Sequence, residues 1–152
     1  MKNSFWLFNT HLTVVVDEQV TGGHYDLIKG SIVQGTETPL HLHKKYSEGF
    51  YVLEGEFTAY VPKKKVVLKK GDYFYIPAGI PHVMAATGKG ISQGLAMVVP
   101  SGFAKLIREV GTPGDFHSPV PEDPSTMEKF MQRSEELGDI ILGPPGVRPD
   151  GG

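Results

Sequence analysis

The chain has 152 residues, 39% hydrophobic and 21% charged, which suits one soluble globular domain with a buried core. Its formal net charge of −2 offers no electrostatic basis for binding nucleic acid or an anionic membrane. The absence of cysteine excludes disulfides, thiolate metal sites and cysteine nucleophiles. Asn3, Ser4, Asn9, Thr10 and His11 break up the segment from Met1 to Val16, leaving no apolar run long enough for a signal peptide. No stretch approaches the ~20 apolar residues of a membrane span. A cytoplasmic protein is expected.

In chain order, the first hundred residues alternate short β-branched and aromatic runs with glycines and prolines. The runs are Phe5–Phe8, Leu12–Val16, Tyr25–Val33, Phe50–Leu53, Phe57–Val61, Val66–Leu68, Tyr73–Ile76 and Leu95–Val99. Gly22-Gly23, Glu54-Gly55 and Lys70-Gly71 are the clearest turns between them. Many short strands with frequent turns predict an all-β sandwich or barrel. Tyr73, Phe74 and Tyr75 are consecutive, so on a strand they divide between core and outer face. Lys63-Lys64-Lys65 and Lys69-Lys70 flank a hairpin turn without interleaved aromatics, which makes them a solvated turn rather than a nucleic-acid surface.

The pattern changes after Pro100. Ser101 is placed to cap a helix in which Phe103, Leu106, Ile107 and Val110 recur at helical spacing, with Gly111 as its stop. Residues 112–124 hold four prolines and predict an extended linker. Ser125 and Glu128 form a capping-box pair opening a second helix, which ends at Gly138. Its stripe of Met127, Phe130, Met131 and Leu137 is expected to pack against the barrel. The tail from Gly143 to Gly152 is too rich in glycine and proline for regular structure. There is no internal repeat and no second domain. Residues 1–111 are expected to form the barrel with its N-terminal strands and first helix, and 112–152 an extension packed on it.

Chemistry concentrates at His41, His43, Glu48 and His82. His41 and His43 are two apart, so on a strand both point to one face. A closed sheet can bring Glu48 and His82 to the same point. Three imidazoles and a carboxylate suit one divalent first-row transition metal, and the set does not choose among Fe, Mn, Ni, Co and Cu. Zn is also compatible, without redox chemistry. His11, His24 and His117 read as surface or hydrogen-bonded residues, with only His24 a candidate for supporting the site.

The spacing has a further meaning. Gly35, His41-Leu42-His43, Glu48 and Gly55 match the first cupin motif at each position, and Gly71, Pro77-Ala78-Gly79 and His82 match the second. The sequence therefore resembles the cupin superfamily. Thr21-Gly22-Gly23, Pro100-Ser101-Gly102-Phe103 and Ile141-Leu142-Gly143-Pro144-Pro145 are similar to its single-domain quercetin 2,3-dioxygenase-like members. The second motif usually closes with Asn, where this chain has Ala86, a small apolar group that makes the pocket wider and less polar.

The resemblance implies a double-stranded β-helix (jelly-roll) barrel with short C-terminal helices, and one metal inside it held by His41, His43, Glu48 and His82. It implies a dioxygenase that opens an enolic or aromatic small molecule with O2, Glu48 also taking the substrate hydroxyl proton. Residues sharing a face with the ligands, Phe50, Val52, Met84 and Ala86, are the candidate substrate contacts. Apolar walls of this kind suit a hydrophobic or aromatic ligand. Two other readings stay open: a non-redox metal-dependent isomerase, lyase or hydrolase, and a non-catalytic carrier of a small ligand. A homodimer is also implied, with Phe5–Phe8 and Leu12–Val16 pairing across subunits to cover sheet edges.

Overall fold

The computed structural model describes residues 3–150. In chain order the elements are β1 (Ser4–Leu7), β2 (Thr10–Val16), α1 (Glu18–Thr21), β3 (Asp26–Val33), β4 (Leu40–His43), β5 (Ser47–Glu54), β6 (Glu56–Val61) and β7 (Lys64–Lys69). They continue with β8 (Tyr73–Ile76), β9 (Val83–Ala86), β10 (Ile91–Val99), α2 (Phe103–Val110), β11 (Thr112–Pro113), α3 (Thr126–Glu136) and β12 (Asp139–Gly143). The fold is all-β, with short helices late in the chain. All strand pairs are antiparallel.

One sheet runs β11-β1-β2-β3-β10-β5-β8. The opposite face is built from β12-β4 and β7-β6-β9, joined by the bridges His41↔His82 and Glu37↔Ala85. Between the two faces lies an apolar cluster of Phe50, Val52, Phe57, Ala59, Leu68 and Ala86. A second cluster unites Phe5, Leu7, Leu12, Val14 and Ile28 with Ala104, Leu106, Ile107 and Val110, so α2 covers the part of the large sheet that the smaller face does not reach. Burying such surfaces contributes roughly 25 cal/mol per Å2 and drives closure. Gly55, at the β5–β6 turn, has φ +79°, and a Cβ there would come 2.3 Å from the Ser92 hydroxyl oxygen, so the turn requires glycine.

Several local expectations are corrected. Ser101 does not cap α2; the buried Asp26 of β3 does, its Oδ2 accepting from the Gly102 and Ala104 amides at 2.9 Å each. The Ser125 side chain does not cap α3 either, because its hydroxyl donates to Asp123 Oδ1, as does its amide. In the second stripe Phe130 and Leu137 pack on the core, whereas Met127 and Met131 are exposed. The linker is not wholly irregular: Thr112 and Pro113 pair with Trp6 and Phe5, and the Trp6 indole donates to Ser118 Oγ. β1 and β2 pair with each other and onto β3 within the chain.

The segment leading into the tail forms an element that the sequence did not suggest. Residues 139–143 form β12, paired along β4. Past Gly143 the described residues form no regular element, yet Arg148 makes a forked contact to Glu37, at 3.1 and 3.0 Å, and stacks 3.9 Å over the Tyr60 ring. Gly151 and Gly152 lie outside the described residues. As expected, Tyr73 and Tyr75 face outward around an inward Phe74; Pro62 and Lys63 turn the β6–β7 hairpin, and Lys64 and Lys65 are exposed on β7. No described helix is long and apolar enough to cross a membrane.

Candidate metal centre

The period of a strand puts His41 and His43 on one face of β4. His82, just ahead of β9, lies directly across from His41: the His41 amide donates to the His82 carbonyl at 3.2 Å, and the His82 amide to the His41 carbonyl at 2.8 Å. Cross-strand neighbours have their side chains about 5 Å apart. One ring nitrogen from each of His41, His43 and His82 therefore falls within 4.8 Å of the others. Glu48 comes from β5 on the large sheet, just past the turn after β4, and its Oε2 reaches 3.4 Å from His43 Nε2 and 3.9 Å from His82 Nε2.

Each ring is aimed by its other nitrogen. Nδ1 of His41 donates to the Pro39 carbonyl at 2.7 Å, and Nδ1 of His82 to the Ile80 carbonyl at 2.9 Å. Nδ1 of His43 donates to Asp139 Oδ1 at 2.7 Å. With Nδ1–H occupied, the Nε2 lone pairs are the free ones. His43 Nε2 is buried and makes no well-formed hydrogen bond, its nearest acceptor being the Glu48 carboxylate 3.4 Å away. A buried nitrogen left without a partner costs free energy unless something occupies its lone pair. A metal ion does so, and the donor set fits one.

The electrostatics point the same way. Burial, with His82 and His43 close by, lowers the His41 pKa to about 4. Burial also holds His82 below its ordinary value, outweighing the pull of Glu48. Both rings are neutral at pH 7. Burial would lower His43 as well, but its bond to Asp139 and the nearby Glu48 raise it to about 9. Burial alone would raise Glu48; the imidazoles, His43 foremost, outweigh it and keep the carboxyl ionised.

Two neighbours of the centre escaped the sequence reading. Tyr46 stacks on His43 with ring centroids 4.1 Å apart, and burial followed by the Asp139 carboxylate pushes its hydroxyl well above the ordinary value. Asp139 opens β12 directly opposite His43. The signal for it was the β-branched run Ile140-Ile141 after the helix stop at Gly138, which marks a strand beginning on a carboxylate. The other histidines lie apart: His24 and His117 are exposed, and His11 is buried with Nε2 3.0 Å from the Gly114 carbonyl. Phe50, Val52 and Ala86 sit in the cluster between the sheets, with Met84 at its margin.

Comparison with known proteins agrees with this construction. A family model described as the cupin domain matches residues 30–99. Quercetin 2,3-dioxygenase of Bacillus subtilis (strain 168) is 28% identical over 132 residues, covering 86% of this chain. The chain spans only 39% of that relative's length. Among solved structures, a predicted oxalate decarboxylase from Thermotoga maritima superposes with a TM-score of 0.61 at 20% identity, over 65% of this chain and 93% of that one. A sugar phosphate isomerase from Silicibacter pomeroyi superposes with a TM-score of 0.54 at 15% identity, over 62% and 61% of the two chains. The cupin-domain match over residues 30–99, the Bacillus relative and these folds together support a cupin superfamily member. Its three-histidine cluster is a candidate site for a single metal ion.

Proposed function

We propose that the chain is a mononuclear metal-dependent dioxygenase of quercetinase type, acting on an enolic or aromatic small molecule. The observation that carries this reading is the set of three histidines with Nδ1–H occupied and Nε2 convergent, beside an ionised Glu48. The likeness to the Bacillus enzyme supports the choice of reaction, because the fold alone hosts many chemistries. His41, His43, Glu48 and His82 would hold one divalent metal, with Fe, Mn, Ni, Co and Cu all suited to the donors. When bound, that metal supplies a Lewis acid and a redox centre between substrate and O2.

The remaining work falls to the protein. Glu48, 21% exposed at its side chain, is the one carboxylate of the cluster that a substrate can reach, and it takes the enolic hydroxyl proton. Because the histidines lower its pKa, accepting a proton requires the carboxylate to move away from them. Phe50, Val52, Met84 and Ala86 supply an apolar wall that favours a flat hydrophobic substrate and excludes water. Ala86 packs where an asparagine would need polar partners.

Oxygen uptake by metal-loaded protein with a panel of flavonols and enolic diketones tests the reaction. Consumption with Fe, Mn, Ni, Co or Cu, lost on substitution by Zn, is expected. Turnover without oxygen that Zn supports equally would transfer the reading to a non-redox isomerase or lyase. No turnover with any metal would leave a ligand-binding cupin.

A homodimer in the cytoplasm completes the proposal. The large sheet leaves Tyr51, Tyr73, Tyr75, Met97 and Val99 exposed, an apolar surface of the kind that partners cover. Sedimentation equilibrium should give twice the chain mass, and a monomer would remove the dimer.

A further inference from the structure

We propose that Asp139 is a positioning residue of the metal centre, and that the C-terminal segment carrying it is an obligatory part of that centre. The inference rests on the reading of His41, His43, Glu48 and His82 as a metal site. It starts from an asymmetry among the three histidines. His41 and His82 each donate Nδ1–H to a backbone carbonyl two residues earlier, so their orientation is set by their own strands. His43 depends on a side chain 96 residues away.

That dependence is built into the sheet. Asp139 and His43 are direct partners in the β12–β4 ladder, and the Lys44 amide donates to the Gly138 carbonyl at 3.0 Å just beyond them. The two side chains are 6% and 7% exposed and 2.7 Å apart. The Tyr46 ring lies against the other face of the same imidazole. A carboxylate buried this deeply is costly unless it meets charge or strong donors. A dication held by His43 supplies that charge through the ring.

The family-matched region ends at residue 99, so the centre draws one of its orienting groups from outside it. The pairing is also reciprocal by linkage: if docked β12 raises metal affinity, bound metal must hold β12 in place. Helix α3 packs on α2 and on β12, and Arg148 ties the tail to Glu37 and Tyr60, so the segment is anchored at both ends of β12.

The test uses the full chain stripped of metal, with wild type, Asp139→Asn and Asp139→Glu titrated with Co(II) against a competing chelator. Wild type should bind one ion, and Asp139→Asn should bind about 10–100-fold more weakly. Asp139→Glu should recover part of the loss. The nitrogen NMR signals of His43 should show Nδ1–H in wild type and a mixture of tautomers in Asp139→Asn, a change that a merely structural role would not produce. In wild type alone, amide exchange at residues 139–141 should slow on Co(II) loading, a readout that needs no variant to fold. The proposal is overturned if wild type binds Co(II) and Asp139→Asn binds it within twofold, or if exchange in β12 ignores the metal. Wild type that takes up no Co(II) overturns the metal-site reading itself.

Discussion

His43 is the residue on which the electrostatics of the centre turn. In the metal-free protein its pKa is raised to about 9, so at pH 7 it carries a proton on Nε2 as well as on Nδ1. A raised pKa means that protonated His43 stabilises the metal-free fold fully below about pH 6.5, and that this contribution fades as pH climbs through 9. A metal must displace the Nε2 proton, whereas His41 and His82 are already neutral. Metal loading at pH 7 should therefore release about one proton, and affinity should rise about tenfold per pH unit until about pH 9. Calorimetric titration in buffers of different ionisation enthalpy measures that release. Heats independent of the buffer would contradict it. At this scale His41 and His43 were legible as a pair from strand period, and the resemblance to the cupin motifs added Glu48 and His82 as candidates. Asp139 was not, because its role arises from a pairing that no local pattern encodes.

At the scale of elements, the sequence carried most strands with β-branched and aromatic runs, and missed β4 and β9, which lack them, and β12, whose Ile140-Ile141 run is short. β4 holds Leu40-His41-Leu42-His43 and β9 holds Val83-Met84-Ala85-Ala86, so neither shows the usual enrichment beyond its place beside a motif. Both helix stops were readable in Gly111 and Gly138: Gly138 takes φ +85°, and Gly111, in extended backbone, has no room for a Cβ beside the Ile107 carbonyl. The helix starts were misread, because Ser101 and Ser125 satisfied the local rule while tertiary structure supplied other partners. Asp26 is the clearest case: a strand residue caps a helix more than seventy positions later. Asp26→Ala should leave the Gly102 and Ala104 amides at the start of α2 without an acceptor and cost about 1–2 kcal/mol. Urea unfolding monitored by the single tryptophan reads this directly, and an unchanged midpoint would show that α2 needs no cap.

For the molecule as a whole, the two faces have different tasks. The large sheet and α2 form a core that owes nothing to the histidines, since its cluster of Phe5, Leu7, Ile28, Leu106 and Ile107 is wholly apolar. The smaller face carries the histidines, and Glu48 reaches across to them from the large sheet. The barrel class was legible from the density of turns, and the seam between the faces was not, because the bridges at His41↔His82 and Glu37↔Ala85 are single contacts between segments far apart in the chain. This division means that the site can be emptied without unfolding the barrel. Elemental analysis of protein purified without chelator, alongside His43→Ala, tests that account most directly. It predicts one divalent transition metal per wild-type chain, and a His43→Ala variant that keeps its fold while losing the metal. Wild type that holds no metal under any loading condition, or a His43→Ala variant that retains a full equivalent, would contradict it.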